Sequence, residues 1–438
     1  MKNLVEKILV LCLVLCVMLA CNAPTTQTTN TSDFVSIEDG HFVKNGKPYY
    51  YVGANFWYGA ILGSAGQGGN RARLIAELDS LKAIGVDNLR ILVGADGENG
   101  VPSRVQPTLQ TEPGVYNDTI LDGLDYLLSE MSKRNMKAVL YLNNSWEWSG
   151  GYSVYLQWCG KGRAPIPSVD GWPAYMDYVR QYMQCAEAQE LFAQHVRFIL
   201  GRTNRYTNIN YTDDPTIMTW QVGNEPRCFA DENKDAFIDW MQSVTALIKS
   251  IDKNHLVSSG SEGKHGCEQD LKLFEDIHAD KNMDYMNIHI WPYNWGWAQK
   301  DSLSENIEIA KQRTLAYIEE HQALAQKYSK PIVLEEFGYP RDNFQFSPTS
   351  PTTARDSYYS FVFNYVAEQA ASRGNFAGCN FWAWGGNAKV STDHVFWQLG
   401  DDYTGDPAQE EQGLNSIFIN DSTINIIREA NARIAECL

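Results

Sequence analysis

The sequence predicts an α/β protein, a single (β/α)8 TIM barrel whose long βα loops form a substrate cleft. Three observations lead there. Strand-like and helix-like segments alternate from Phe34 onward, the strands number eight, and the three long inserts all follow strand C-termini. A doubly wound open sheet would place a glycine-rich phosphate turn after its first strand. The GANFWYG that follows Tyr49–Val52 is no GxGxxG. At 438 residues the chain is within the range of one barrel with insertions.

In order, the expected strands are Tyr49–Phe56, Asn88–Val93, Lys137–Asn143, Thr216–Val222, Leu256–Gly260, Tyr285–Ile290, Pro331–Glu336 and Phe376–Trp382. They are short apolar runs of the kind that a sheet covered on both faces requires. The helices between and after them, each with apolar residues at helical spacing, are Arg71–Ile84, Thr119–Arg134, Ala186–Asn204, Ala236–Ile251, Glu268–Ile277, Glu305–Tyr328, Thr353–Ser372 and Thr423–Cys437. The inserts are Gly94–Tyr116, Asn144–Gly171 and Trp382–Phe418. Long βα loops at one end of a barrel build a cleft, which puts these extra residues on the catalytic face.

The N-terminus reads separately. Lys2 and Lys7 precede an apolar run, Ile8 to Ala20, that is too short to span a bilayer, so residues 1–20 are expected to be an export signal. The run ends in Met18-Leu19-Ala20-Cys21, which resembles the lipobox of bacterial lipoproteins and marks Cys21 for lipidation. Residues 21–33, rich in Thr and Asn, read as a flexible tether, and residues 34–438 as the catalytic domain. The expected location is the cell envelope, at the outer membrane or the cell surface, with the membrane reached only through the lipid; plain secretion is the alternative.

Beyond the signal, the cysteines at 159, 185, 228, 267, 379 and 437 suit an exported chain that forms disulfides, but sequence cannot choose a pairing. They show no CxxC or Cys/His spacing, so no metal is inferred, and no cofactor. The net charge of −17 repels a nucleic-acid backbone and suits a neutral substrate, so no nucleic-acid partner is expected. No DxDxDG loop points to calcium. A 12% aromatic share, with 13 Trp and 23 Tyr, fits a cleft for flat hydroxylated ligands as well as it fits ordinary packing. A monomer is expected.

Two strand ends carry the chemistry. In TIMTWQVGNEPR, the fourth strand delivers Asn224-Glu225 and Pro226 forbids its continuation as a paired strand. In KPIVLEEFG, the seventh strand ends in Glu335-Glu336; alternation puts the two on opposite sides of the chain, and Glu336 is the better candidate for the cleft. A single such Glu is ordinarily a solvated loop acid or a rim salt-bridge partner. Two across one cleft suit glycoside hydrolysis, in which a protonated acid serves the leaving oxygen and a carboxylate attacks the anomeric carbon. Arg90 in NLRIL and His289 in MNIHIW also sit at strand ends and could tune them, although each alone reads more readily as a satisfied structural residue, and it is their shared placement that raises them.

These residues resemble glycoside hydrolase family 5, and within it the bacterial endo-β-1,4-mannanases. The resemblance covers nearly all of Phe34–Leu438. It is carried by Arg90, NNSWEWSGGYSVYLQW from Asn143, WQVGNEPR, SSGSEG from Ser258, NIHIWPYNWGW, VLEEFG, and FWAWGG from Phe381. It implies Glu225 as acid/base, Glu336 as nucleophile, Asn224 as donor to the sugar 2-hydroxyl, and Arg90 and His289 as groups that orient the carboxylates. It further implies Trp382 as the platform under the sugar at the scissile bond and Arg227 as a contact on the leaving-group side. Asn143, where the family's cellulases usually carry His, favours mannan over cellulose. The family's usual Tyr two residues after the sixth-strand His is replaced by Trp291, a binding surface or a position whose hydroxyl comes from elsewhere, Tyr293 included.

Trp57, Trp146, Trp148, Trp291 and Trp297 are placed on the catalytic face by their positions. The expected activity is retaining endo cleavage of mannan, galactomannan or glucomannan, with a carboxyl separation of about 5–5.5 Å. Another β-1,4-glycanase, a cellulase or xyloglucanase, is the nearest alternative. A non-catalytic glycan-binding lipoprotein is a further one, but it would not need both carboxylates.

Overall fold

The computed structural model describes residues 33–438. The export signal, Cys21 and nearly all of the expected tether therefore lie outside the described residues. The barrel strands are β1 (Tyr51–Asn55), β2 (Asn88–Leu92), β3 (Lys137–Tyr141), β4 (Ile217–Gln221), β5 (Leu256–Ser258), β6 (Met286–Ile290), β7 (Ile332–Phe337) and β8 (Phe376–Phe381). Their order in one parallel sheet is 5-4-3-2-1-8-7-6. Every strand residue is buried, as expected for strands covered on both faces.

At the seam between β5 and β6 side chains complete the ring. Asp284 accepts from the Val257 N–H at 2.6 Å, and Asn287 Oδ1 accepts from Ser259 Oγ at 2.9 Å and from the Gly260 N–H at 3.2 Å. The surrounding helices are α1 (Arg71–Ala83), α2 (Asp118–Lys133), α3 (Ala186–Leu200), α4 (Lys234–Ile251), α5 (Leu271–His278), α6 (Ile307–Lys327), α7 (Thr353–Ser372) and α8 (Thr423–Glu436). The (β/α)8 barrel read from the sequence is the observed fold, with strand and helix ends trimmed by a few residues.

The sequence reading missed a three-stranded antiparallel sheet, Ser36–Glu38, His41–Lys44 and Lys47–Pro48. It caps the N-terminal mouth of the barrel. Val35 and Phe42 join Tyr51, Val139, Met218, Tyr285 and Val333 in a small apolar cluster separate from the main core, and Phe42 meets Tyr285 edge-on at 5.1 Å. With that mouth closed, ligand access is left to the C-terminal end.

The insert after β3 runs further than expected. Past Gly171 it continues through Trp172–Val179 and Arg180–Gln184 before α3 begins. The insert after β8 ends in Ile417–Phe418, which pairs with Trp384–Gly386. Among the described residues no helix is long and apolar enough to cross a membrane.

Candidate active site

Glu225 stands just beyond β4 because the chain there is pinned on both sides. The Asn224 N–H donates to Asn143 O at 2.8 Å and the Glu225 N–H to Gly260 O at 2.9 Å. Gly260, in SSGSEG, has a φ of +81°, and a Cβ at that position would come within 1.7 Å of Gly223 O, so only glycine permits the approach. Glu225 itself takes a left-handed φ of 49°, an unusual state for a residue with a side chain that costs about 1–3 kcal/mol. The geometry turns its carboxyl over the barrel mouth.

Glu336 is brought to the same place by β7, in register with His289 on β6. One carboxyl oxygen of Glu225, one of Glu336 and a ring nitrogen of His289 all lie within 4.8 Å of one another. His289 Nδ1 is 2.8 Å from Glu225 Oε1 and 3.3 Å from Glu336 Oε2. Burial, and then the charges of Arg90 and Arg227, hold this imidazole well below the ordinary histidine range. The neutral ring therefore links the two carboxyl groups without adding a charge.

The neighbouring Glu335 faces the other way, into the barrel. It accepts from Gln221 Nε2 at 2.6 Å and from the Tyr285 hydroxyl at 2.8 Å. The choice of Glu336 over Glu335 by strand alternation matches this arrangement.

Arg90 occupies the floor of the site, fully buried, with its fork committed. Its Nε donates to Gln221 Oε1 at 2.7 Å, Nη1 to Asn55 Oδ1 at 3.1 Å and to Glu336 Oε1, and Nη2 to Asn224 Oδ1 at 3.0 Å. Because Arg90 takes the amide oxygen of Asn224, the amide is oriented with its nitrogen at the cavity. That nitrogen also reaches Asn144 Oδ1 at 3.2 Å.

The carboxyl pair is asymmetric. Burial raises Glu225, opposed by Arg227, the Trp146 indole and Arg90. Burial also raises Glu336, opposed by Arg90 and reinforced by the charge of Glu225. Two carboxylates this close do not both ionise easily, so the pair retains a proton. Only Glu336 is bonded directly to a guanidinium, and that contact favours the charged form of Glu336 over that of Glu225. An acid and a nucleophile side by side is what the arrangement can offer chemically.

Around the pair is a cavity of about 550 Å³. Asn224, Glu225, Arg227, Trp291, Glu336 and Trp382 line it, as the sequence reading expected. Arg227 pairs with the buried Glu262, Nε to Oε2 at 2.6 Å, and lies over the Trp146 ring at 5.0 Å. Trp146 in turn donates its indole N–H to Glu225 Oε2 at 2.5 Å. Trp146 and Trp148 also line the cavity.

Other expected residues lie elsewhere. Trp57 is behind the wall, buried, with its indole N–H donated to Gly405 O at 2.8 Å. Asn143 is below the floor, where its side-chain oxygen accepts from the Asn144 N–H at 2.7 Å. Trp297 packs edge-on against Trp295 at 5.0 Å, and it is Trp295 that reaches the cavity. Tyr293 packs against Phe344 at 4.8 Å and makes no bond to Glu336. Trp291 meets Trp382 edge-on at 6.0 Å, and its indole favours the charged form of Glu225.

Sequence reasoning missed Glu147, Glu262, His265, Gln409 and Glu410 as cavity residues, and did not use the half-exposed Trp172 at its rim. All belong to βα loops, and that placement was the available signal.

A family model described as GH family 5 beta-mannosidase-like matches residues 32–437. The chain belongs to this family. Among solved structures similar to this glycoside hydrolase family 5 protein is the family 5 mannosidase of Rhizomucor miehei, with a TM-score of 0.86, 33% identity, and coverage of 93% of this chain and 99% of that one. The endo-1,4-beta-mannanase of Rhizomucor miehei shares the fold at a TM-score of 0.65 and 22% identity, covering 92% of this chain and 99% of that one. Among sequence relatives, the putative mannan endo-1,4-beta-mannosidase 4 of Arabidopsis thaliana is 26% identical, over 97% of this chain and 96% of its own.

Proposed function

We propose that this protein is a retaining endo-β-1,4-mannanase that hydrolyses mannan, galactomannan or glucomannan by double displacement. The observation that carries the reading is the carboxyl pair, with oxygens of Glu225 and Glu336 within 4.8 Å of each other. A gap this small fits direct attack by a carboxylate and leaves no room for the water that an inverting mechanism needs between the groups.

In this reading Glu225 donates its proton to the glycosidic oxygen while the Glu336 carboxylate attacks the anomeric carbon. The leaving sugar departs past Arg227. Glu225, now ionised, takes a proton from water, which releases the sugar from Glu336 with net retention. Asn224 donates to the 2-hydroxyl, Trp382 lies under the sugar at the scissile bond, and Trp291 serves the acid as well as the binding surface. Mannan is favoured by the names of the sequence relatives.

The test is a panel of linear mannan, galactomannan, glucomannan, cellulose and xyloglucan. Short manno-oligosaccharides of mixed length are expected from the mannans at the earliest times. Faster release from cellulose or xyloglucan would replace mannan with another β-1,4-glycan, and no release from any would leave a glycan-binding protein.

We further propose that residues 1–20 are removed, that Cys21 is lipidated, and that a short tether joins the lipid to a monomeric catalytic domain at the cell envelope. The Leu19-Ala20-Cys21 sequence after an apolar run supports this. A Cys21→Ser variant is expected to leave the membrane fraction, and an unchanged distribution would refute the anchor.

A further inference from the structure

Within the insert after β3, residues 160–184 form a lobe with a cysteine next to each end. Cys159 caps the helix Gly151–Trp158, and its N–H donates to Tyr155 O and Leu156 O, both at 3.1 Å. Cys185 stands at the N-terminal cap of α3, where its N–H donates to Tyr182 O at 3.2 Å and its carbonyl accepts from the Gln189 N–H at 3.1 Å. Helix ends thus fix both main chains. Both side chains are thiols in this structure.

The elements that carry them are packed together. Tyr152 stacks on Tyr182 with ring centroids 4.0 Å apart, and Tyr155 meets Phe192 of α3 edge-on at 6.1 Å. Nearer the cysteines, the Tyr178 hydroxyl donates to Gly162 O at 3.0 Å and joins the outgoing and returning arms of the lobe. The thiols themselves are neighbours. Burial, and then the adjacent Cys185, which hydrogen-bonds it, push the Cys159 thiol up to about 11. The other cysteines are engaged elsewhere: Cys228 Sγ donates to Glu268 Oε1 at 3.9 Å, Cys267 is hydrogen-bonded to Ser261, Cys379 lies within β8 and Cys437 caps α8.

The lobe reaches the cavity. Trp172 and Met176 line its rim, Trp172 meets Trp146 edge-on at 5.7 Å, and the Tyr175 hydroxyl donates to Ser145 O at 2.6 Å. Trp146 is the residue that donates to Glu225, so the placement of the lobe bears on the acid. Its own core is small, with Ala164, Tyr175, Tyr178, Val179, Tyr182 and Met183 as the buried apolar residues. An excursion with so little core gains most from a covalent tie across its base.

We propose that Cys159 and Cys185 are joined by a disulfide that closes the base of this lobe and holds Trp172 at the cavity rim. The oxidant is a small-molecule or protein disulfide of the kind met outside the cytoplasm, and for its supply the inference rests on the export reading above. The half-buried Cys159 loses its proton and attacks one sulfur of that disulfide, so that one thiol leaves and a mixed disulfide remains. Cys185 loses its proton, attacks Cys159 Sγ and releases the second thiol; two protons and two electrons have then passed to the oxidant. In the folded lobe a thiol raised as far as that of Cys159 is almost wholly protonated at neutral pH, which makes the bond a structural tie and not a switch.

The experiment exports the full-length chain in a bacterial host, unfolds it in guanidinium with iodoacetamide and no reductant, and maps its peptides by mass spectrometry. A second sample is first refolded with glutathione and glutathione disulfide. The expected result in both is a peptide linked through Cys159 and Cys185 that separates on reduction. Trypsin should cut the linked protein at the exposed Lys161 and Arg163 about tenfold more slowly than it cuts the reduced protein or a Cys159→Ser variant, because cleavage follows opening of the lobe. Alkylated Cys159 and Cys185 in both samples, or a link from either to another cysteine, would overturn the pairing. A link in the refolded sample alone would overturn export and keep the pairing. Equal cleavage rates with and without the bond would overturn its hold on the lobe.

Discussion

Glu336→Ala is expected to lose hydrolysis of mannan by a factor on the order of 10⁵, because removing a covalent nucleophile removes the pathway and not merely one contact. The surroundings sharpen the expectation. Arg90 is buried, with Gln221, Asn55, Asn224 and Glu336 as its hydrogen-bond acceptors, so the variant leaves a guanidinium with one N–H aimed at an empty position. A water that fills this space lacks the carboxylate charge that attacks the anomeric carbon. An activated 2-deoxy-2-fluoro-β-mannoside should label the unaltered protein at Glu336, and mass spectrometry of the labelled peptide checks the assignment. Substantial turnover by the variant, or a label on Glu335, would sink it.

The second large effect is expected at Glu225, with a different signature. Glu225→Ala should lose about 10²- to 10⁴-fold on mannan, the usual contribution of general acid–base catalysis. On an aryl mannoside whose leaving group needs no protonation, the first step should survive and the glycosyl-enzyme should accumulate. Azide, which needs no general base, should then restore turnover and yield a β-mannosyl azide. Equal losses on activated and unactivated substrates would contradict the acid role.

The pH profile follows from the same pair. Burial raises Glu225, so its acid form persists above the ordinary carboxyl range and activity falls as pH rises through the raised value. Activity also falls on the acid side, as Glu336 gains a proton and stops being a nucleophile. With an activated substrate, Glu225→Ala should lose the alkaline limb and keep the acid one.

Much of this was legible in the chain. The apolar runs that end in NEP and in LEEFG are short and bounded by Pro226 and Gly338, and such punctuation is local, so it marks β4 and β7 without reference to any tertiary contact. The pattern of alternation was enough to separate Glu336 from Glu335. Trp57 and Asn143 were misplaced for a common reason. Both sit at strand ends, where position predicts the catalytic face, but the Trp57 indole is turned under Gly405 and the Asn143 amide beneath the floor. A strand end specifies a neighbourhood; the rotamer and the loop folded above it specify what the side chain meets.

By itself, then, the sequence determined the eight-fold barrel, the two carboxylates and the arginine and histidine that accompany them, because these depend on periodicity and on strand termini, which are encoded within a few residues. Only the tertiary structure decided that Arg90 bonds Glu336 while Trp146 and Trp291 attend Glu225, that Glu262 backs Arg227, and that the loop after β8 walls the cavity with Gln409 and Glu410. Those pairings join residues tens to hundreds of positions apart, and nothing in local spacing records which distant loop comes to rest against which strand end.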